Sequence, residues 1–324
     1  METFRTVFDI PESESKINYL TKSIFIGSCF TESIGNYLKE LKFPTIVNPF
    51  GIVYNPISII NSIKFLLGEK KFSEKDLNFY NDVWFSFYHH SRFSDTDKKK
   101  CLEKINETIH ASSEGLKQTE FIFITFGTSF IYTHREKNII VNNCHKLPSD
   151  TFTKSLLNAE RIFSEYSEYI SKLKAANPSL KIIFTVSPVR HINDGIIENQ
   201  LSKSILFVAV HKIIEKFNNC FYFPAYEIMM DELRDYRFYA SDMIHPNETA
   251  IEYIRNRFSE TYIDASSRDI MCEINKLVQA KNHKAFFPKT ADFDKFMKKY
   301  LQKVSDLKKK FSYLDLKEFE EYFK

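Results

Sequence analysis

The sequence predicts an α/β fold in which a parallel sheet is covered by helices on both faces. Three observations predict it. Phe121–Phe126 and Lys181–Val186 are near-continuous apolar runs, the mark of strands buried on both sides. From residue 22 to about 260, such runs alternate with stretches whose apolar residues recur at helical spacing. Small and polar residues gather at the strands' carboxyl ends, where sheets of this kind bind ligands: Gly27-Ser28, Asn48 to Gly51, Gly127 to Ser129, and Arg190-His191.

The elements follow in order. Residues 1–20 are polar around Pro11 and read as an arm laid over the surface. A β-rich run ends at Gly27, and Phe30, Ile34, Leu38 and Leu41 then mark a helix, giving strand, tight turn, helix. A short strand precedes the turn at Asn48–Gly51, and Pro56–Leu67 is helical. The aromatic stretch 82–93 holds Trp84, His89 and His90, and fits either a pocket wall or a wet edge of the core. A charged amphipathic helix covers 98–118, and a hairpin-like stretch follows Tyr132. Residues 153–175 predict a helix on Leu156, Ile162, Tyr166, Ile170 and Leu173, stopped by Asn177-Pro178. A helix over 199–217 carries Leu201, Ile205, Ala209, Ile213 and Phe217, and a short strand at 220–223 follows it. Another helix runs through Phe258.

Composition narrows the function classes. Lys+Arg number 45 against 42 Asp+Glu, so the net charge of +3 gives no reason to expect nucleic acid as principal partner. The excess base sits in the last sixty residues, with 14 Lys/Arg against 9 Asp/Glu. That segment predicts helices at 267–280, 291–311 after Pro288, and 314–323. The stripe Phe293, Phe296, Met297, Leu301, Val304, Leu307 and Phe311 would pack on the main domain or on a second copy, making a homodimer one expectation. The expected division is a main domain over 1–264 and a helical extension over 265–324. Five scattered cysteines, without a CxxC pair, argue against a disulfide scaffold and against structural zinc. There is no secretory signal pattern, no spanning apolar run, and no metal, nucleotide or flavin motif, so the expectation is a soluble, cytoplasmic protein without a cofactor or membrane insertion.

The chemistry centres on two places. Ser28 stands at the carboxyl end of a strand and beside a helix N-terminus, where free backbone N–H groups can stabilise an anion. A capping serine would look the same locally. Asp242 and His245 lie three apart before the last helix of the α/β region. One bend could bring the carboxylate to the imidazole and fix its tautomer. Cys29 is a rival nucleophile, its thiolate favoured at a helix N-terminus. Ser28 is preferred because the residue after a turn serine usually faces away from the site. His145, Arg190 and His191 are candidates for gripping a polar acyl acceptor or a carboxylate.

With these residues in view, the chain resembles the GSCFA family, whose motif stands here as Gly27-Ser28-Cys29-Phe30 followed by Thr31 in place of alanine. Asn48 to Gly51, Phe126 to Ser129, Asn143 to Lys146, Ser187 to His191, Asn199 to Lys203 and Asp231 to Pro246 support the resemblance. That family is similar to the SGNH/GDSL hydrolases, which implies a three-layer α/β/α sandwich with a flavodoxin-like parallel sheet. By the resemblance Ser28 falls at the nucleophile, His245 at the base and Asp242 at the orienting acid. The Ser28 amide, Asn48 and Gly51 would supply the oxyanion hole. The clan's Gly-x-Asn-Asp element is replaced by Gly127-Thr128-Ser129, so Thr128 or Ser129 would have to substitute, with Ser129 also a candidate substrate contact.

Three functions fit. One is a serine hydrolase releasing a small acyl group from a sugar or other polar metabolite. A second is an O-acyltransferase with the same acyl-enzyme. The third is a carbohydrate-binding module on a decayed hydrolase fold.

Overall fold

The computed structural model of the protein describes residues 5–283 and 290–324. The start of the expected arm (residues 1–4) and the expected break at Pro288 lie outside the described residues.

In chain order the strands are β1 (Ser23–Gly27), β2 (Thr45–Val47), β3 (Asn78–Tyr80), β4 (Val83–Phe85), β5 (Phe121–Phe126), β6 (Phe130–His134), β7 (Ile139–Val141), β8 (Phe152–Leu156), β9 (Lys181–Val186) and β10 (Cys220–Tyr222). The helices are α1 (Cys29–Glu40), α2 (Pro56–Leu66), α3 (Lys98–Leu116), α4 (Ala159–Ala176), α5 (Ile196–Lys216), a short α6 (Ala225–Glu227) continued by a π-helical turn, α7 (Glu248–Tyr262), α8 (Ala265–Asn282), α9 (Ala291–Lys310) and α10 (Lys317–Tyr322).

Among the described residues five strands form the central sheet in the order β2-β1-β5-β9-β10, with every pairing parallel. Counted within that sheet the order is 2-1-3-4-5, the flavodoxin-like winding whose direction reverses between β1 and β5. A ligand crevice therefore opens where Gly27 and Phe126 end their strands.

Alternation along the strands sorts two chemistries onto two faces. Ile24, Ile26, Ile122, Ile124, Ile182 and Phe184 join one core with α2, α3, α4 and α5. Phe25, Phe121, Phe123 and Ile183 join a second core with α1 and α7. There Phe25 stacks on Phe123 at 4.4 Å between centroids, and Phe258 packs on both Phe123 and Phe223. The three-layer α/β/α sandwich is thus present, and helices follow on the carboxyl side.

That second core takes in Ile274 and Leu277 of α8, Val304 and Leu307 of α9, and Phe319 of α10. The C-terminal helices therefore pack on the α1/α7 layer; of the expected stripe on α9, Val304 and Leu307 are the buried members. The N-terminal arm is likewise tied down. Ile17 is fully buried and bridges Ile263, while Ser13 and Ile17 donate to the carbonyls of Thr261 and Tyr262. Among the described residues no helix is long and apolar enough to cross a membrane.

Three expectations are corrected. The helix expected from residue 153 starts at Ala159, capped by Asn158, whose side chain accepts from the Arg161 amide at 2.8 Å. Residues Phe152–Leu156 instead pair antiparallel with β6, because Leu156 meets Phe130 across the sheet and Leu157 carries the burial. The aromatic stretch 82–93 begins inside a hairpin, β3–β4, turned at Asn81 and Asp82, both with positive φ as a two-residue turn demands. On α5 the buried face is Asn199, Ser202, Lys203, Leu206, Ala209, Val210 and Ile213, whereas Leu201 is half exposed.

Candidate active site

The turn after β1 is built by Gly27. Its φ of +145° suits glycine alone, and a Cβ there would collide with the Thr125 carbonyl of β5. This close approach fixes how the chain leaves the strand. Ser28 then takes an extended conformation at the N-cap of α1, but its side chain caps nothing. The Ser28 hydroxyl is wholly enclosed and has no hydrogen-bond partner among the described residues. Cys29, the first helical residue, is only half buried and faces the crevice. Burial pushes its thiol up, while the amides of Phe30 and of Cys29 itself work the other way, and Lys203 adds a smaller downward pull. These N-terminal amides lack intrahelical acceptors, as at any helix start.

The segment after β2 threads between the ends of β1 and β5. Val53 donates to the Gly27 carbonyl at 3.1 Å, and the amides of Gly127 and Thr128 both donate to the Tyr54 carbonyl at 2.8 and 3.1 Å. Asn55 is thereby held at the switch point. Its Oδ1 accepts from the Ser58 amide at 2.9 Å as the N-cap of α2, and its Nδ2 has no partner among the described residues.

On the opposite side stands the loop before α7. Asp242 Oδ1 accepts from the amides of Ile244 and His245 at 2.9 and 3.0 Å, and Oδ2 accepts from His245 Nδ1 at 2.7 Å. Met243 at φ +56° makes the bend. The Ala240 amide donates to the His245 carbonyl, and Asn247 caps α7, closing the loop. Hydrogen bonds from His245 and Ile244 hold the Asp242 carboxyl down at about 2, so it is ionised throughout the physiological range. With Nδ1 occupied, Nε2 is the nitrogen left to exchange protons. Among the described residues neither Ser28 nor Cys29 is hydrogen-bonded to it.

A cavity of about 470 Å³ joins these pieces. Cys29, Tyr54, Asn55, Thr128, Arg190, His191 and His245 lie on its walls, and Phe130, Tyr132 and Asn143 of the β6–β8 region close one side. Arg190 stacks on Tyr239, 5.2 Å from the ring centre, and has no ion pair among the described residues. His191 lies against Gly127 and Tyr54, and burial drives its imidazole down to about 4, so it is neutral at pH 7.

The structure therefore brings Arg190, His191, Thr128 and His245 to one cavity, with Asp242 behind His245. It does not bring the others. Ser28 is enclosed beneath the turn. Asn48 is buried, its Oδ1 accepting from the Gly27 amide and its Nδ2 donating to Glu32, and the Gly51 amide donates to the Asn48 carbonyl, so these donors are spent on the turn. Thr128 is at the wall, but its amide is spent on Tyr54 and its hydroxyl meets Ser202 and the Phe130 amide. Ser129 is buried against Ser202. His145 packs on Phe85 and contacts the Ser86 carbonyl. His89 is buried among Phe65, Phe72 and Phe93, so the aromatic stretch is core rather than pocket wall. Among the described residues no three His, Cys, Asp or Glu side chains gather as a metal site.

Two residues were missed by reasoning from sequence. Asn55 stands just before the helix expected from Pro56 and was assigned no role. Lys203 is fully buried on α5, donating to the carbonyls of Gly127 and Ser187 at 2.7 Å each, and so ties the ends of β5 and β9 together. Burial lowers its ammonium to about 7. Its signal was present: a lysine in helical register with Leu206, Val210 and Ile213.

A flavodoxin-wound α/β/α sandwich with a histidine–aspartate pair over its switch-point cavity defines the class. Within it, the chain belongs to the GSCFA family: the family model matches residues 22–258, and that of the GSCFA domain protein, C-terminal domain, matches residues 274–324. Among solved structures, an acetyl xylan esterase from the rumen bacterium Butyrivibrio proteoclasticus is similar at a TM-score of 0.36 and 14% identity, over 75% of this chain. The chain spans 65% of that esterase's length. No functionally curated protein matches significantly.

Proposed function

We propose that the protein is an acyl-ester hydrolase that passes a small acyl group through a covalent enzyme intermediate, releasing a sugar or another polar alcohol. The observation that carries this reading is the pairing of His245 with Asp242 on the wall of the same cavity that receives the N-terminus of α1. His245 Nε2 takes the proton of a nucleophile in the Gly27–Phe30 turn, and Asp242 offsets the charge gained. The attacked carbonyl becomes an oxyanion beside the Cys29 and Phe30 amides and Asn55 Nδ2, which would stand in for the missing Gly-x-Asn-Asp donor. His245 returns its proton to the departing alkoxide, and water then releases the acid. Arg190 and the neutral His191 would grip the polar portion of the substrate.

The test is hydrolysis of p-nitrophenyl acetate by the full chain, with product analysis in the presence and absence of a sugar acceptor. His245→Ala is expected to lower turnover by roughly 10³-fold with the fold intact. Equal turnover in both proteins would remove the reading. Acylated sugar in place of free acid would convert it to acyl transfer.

A further inference from the structure

We infer that Cys29, not Ser28, is the nucleophile, so that the covalent intermediate is a thioester. The inference deepens the acyl-enzyme reading above and rests on it. Two neighbours in sequence compete for one role, and the turn separates them physically. Gly27 is pressed against the Thr125 carbonyl, which leaves the chain one way to enter α1. On that path Ser28 turns its hydroxyl inward, with no exposed surface and no partner among the described residues. Cys29 turns outward onto the wall shared with His245 and Asn55. For Ser28 to attack, the first turn of α1 would have to rotate, and Phe30, Ile34 and Leu38 would leave the second core.

The surroundings of the Cys29 sulfur suit a nucleophile that is activated on demand. Its own amide and that of Phe30 point toward it, and Lys203 lies close enough to favour the thiolate, while burial keeps the resting form a thiol. A base is therefore needed, and His245 is the titratable group on that wall with a free nitrogen and a carboxylate behind it. In the first step the Cys29 S–H proton moves to His245 Nε2. The sulfur forms a bond to the acyl carbon, the C–O bond to the leaving alkoxide breaks, and the proton on His245 passes to that alkoxide. In the second step His245 takes a proton from water, whose oxygen attacks the thioester carbonyl. The C–S bond breaks, and the thiolate recovers the proton from His245.

The experiment uses the full chain and p-nitrophenyl acetate, followed by intact mass, peptide mapping and exposure to neutral hydroxylamine, which cleaves thioesters and spares oxygen esters. The expected result is one acetyl group per chain, mapped to Cys29, removed by neutral hydroxylamine, retained in Ser28→Ala and absent from Cys29→Ala. Cys29→Ser guards against misfolding: it should fold as wild type and turn over at least tenfold more slowly. An acetyl group mapped to Ser28 and resistant to neutral hydroxylamine would overturn the inference while leaving the acyl-enzyme reading intact. No adduct on folded wild type, with turnover unaffected by Cys29→Ala or Ser28→Ala, would overturn both.

Discussion

The two halves of the site are built in opposite ways. The Asp242–His245 loop is exposed and largely self-contained: its carboxylate binds two amides within its own bend and then the imidazole three residues on. The turn after β1 is enclosed, and everything about it is set from outside. Thr125 of β5 presses on Gly27, Asn48 holds the Gly27 amide, and the segment at Val53–Asn55 is hydrogen-bonded to the ends of both strands. The loop could be deduced from spacing. The turn could not, because which of two adjacent side chains faces the cavity depends on contacts with residues up to a hundred positions away.

That contrast can be broken or sharpened by substitution. After His245→Ala, the largest effect on turnover is expected from Asn55→Asp. A carboxylate there still caps α2 but donates nothing, so turnover should fall by about 10² while melting temperature holds. An unchanged rate would show that the oxyanion is served by the α1 amides alone. Next comes Gly27→Ala, which forces a side chain into the Thr125 carbonyl at a backbone angle only glycine tolerates. Chemical denaturation should show a loss of about 3 kcal/mol or more. A loss under 1 kcal/mol would mean the turn is less constrained than the enclosed picture requires.

Lys203 gives a pH test. Its folded-state value of about 7 lies below the unfolded value, so between pH 7 and 10 the unfolded chain binds more protons than the folded one. Unfolding free energy should therefore rise across that window, by at most about 1.4 kcal/mol per pH unit, and Lys203→Met should flatten the rise. A wild-type curve that falls there, or one that Lys203→Met leaves unaltered, would contradict the assignment. The smallest effect is expected from Ser28→Ala. Removing a buried hydroxyl that has no partner among the described residues should leave stability unchanged or raise it by up to about 1 kcal/mol. A loss of 1 kcal/mol or more would mean that the hydroxyl makes a bond after all.

Much of the fold was legible because the central strands announce themselves. Phe121–Phe126 is apolar at every position but Thr125, and such a run has few alternatives in an α/β chain. The short antiparallel strands were not legible. Leu156 continues the helical stripe of Ile162 and Tyr166 on paper, and only the pairing with Phe130 pulls it into β8. On α5, choosing Leu201 over Lys203 as a core residue followed hydrophobicity. The chain instead buries the lysine because two strand-end carbonyls need a donor. The site divides in the same manner. Arg190, His191 and His245, singled out by local pattern and strand-end position, lie on the cavity wall, with Asp242 bonded to His245. Ser28, Asn48, Gly51, Ser129 and His145 belonged to the right loops but turn toward the interior, and sequence spacing carries no record of that direction.

By our inference, the enclosed turn presents a thiol that the exposed loop activates. The measurement that meets this most directly is the rate of iodoacetamide alkylation at Cys29, read by peptide mapping at pH 7 in wild type and in His245→Ala, with the exposed Cys272 as internal control. Because burial holds the Cys29 thiol up, loss of the base should slow its alkylation tenfold or more while Cys272 reacts at the same rate in both proteins. Equal Cys29 rates in the two proteins would show that the loop does not act on this thiol.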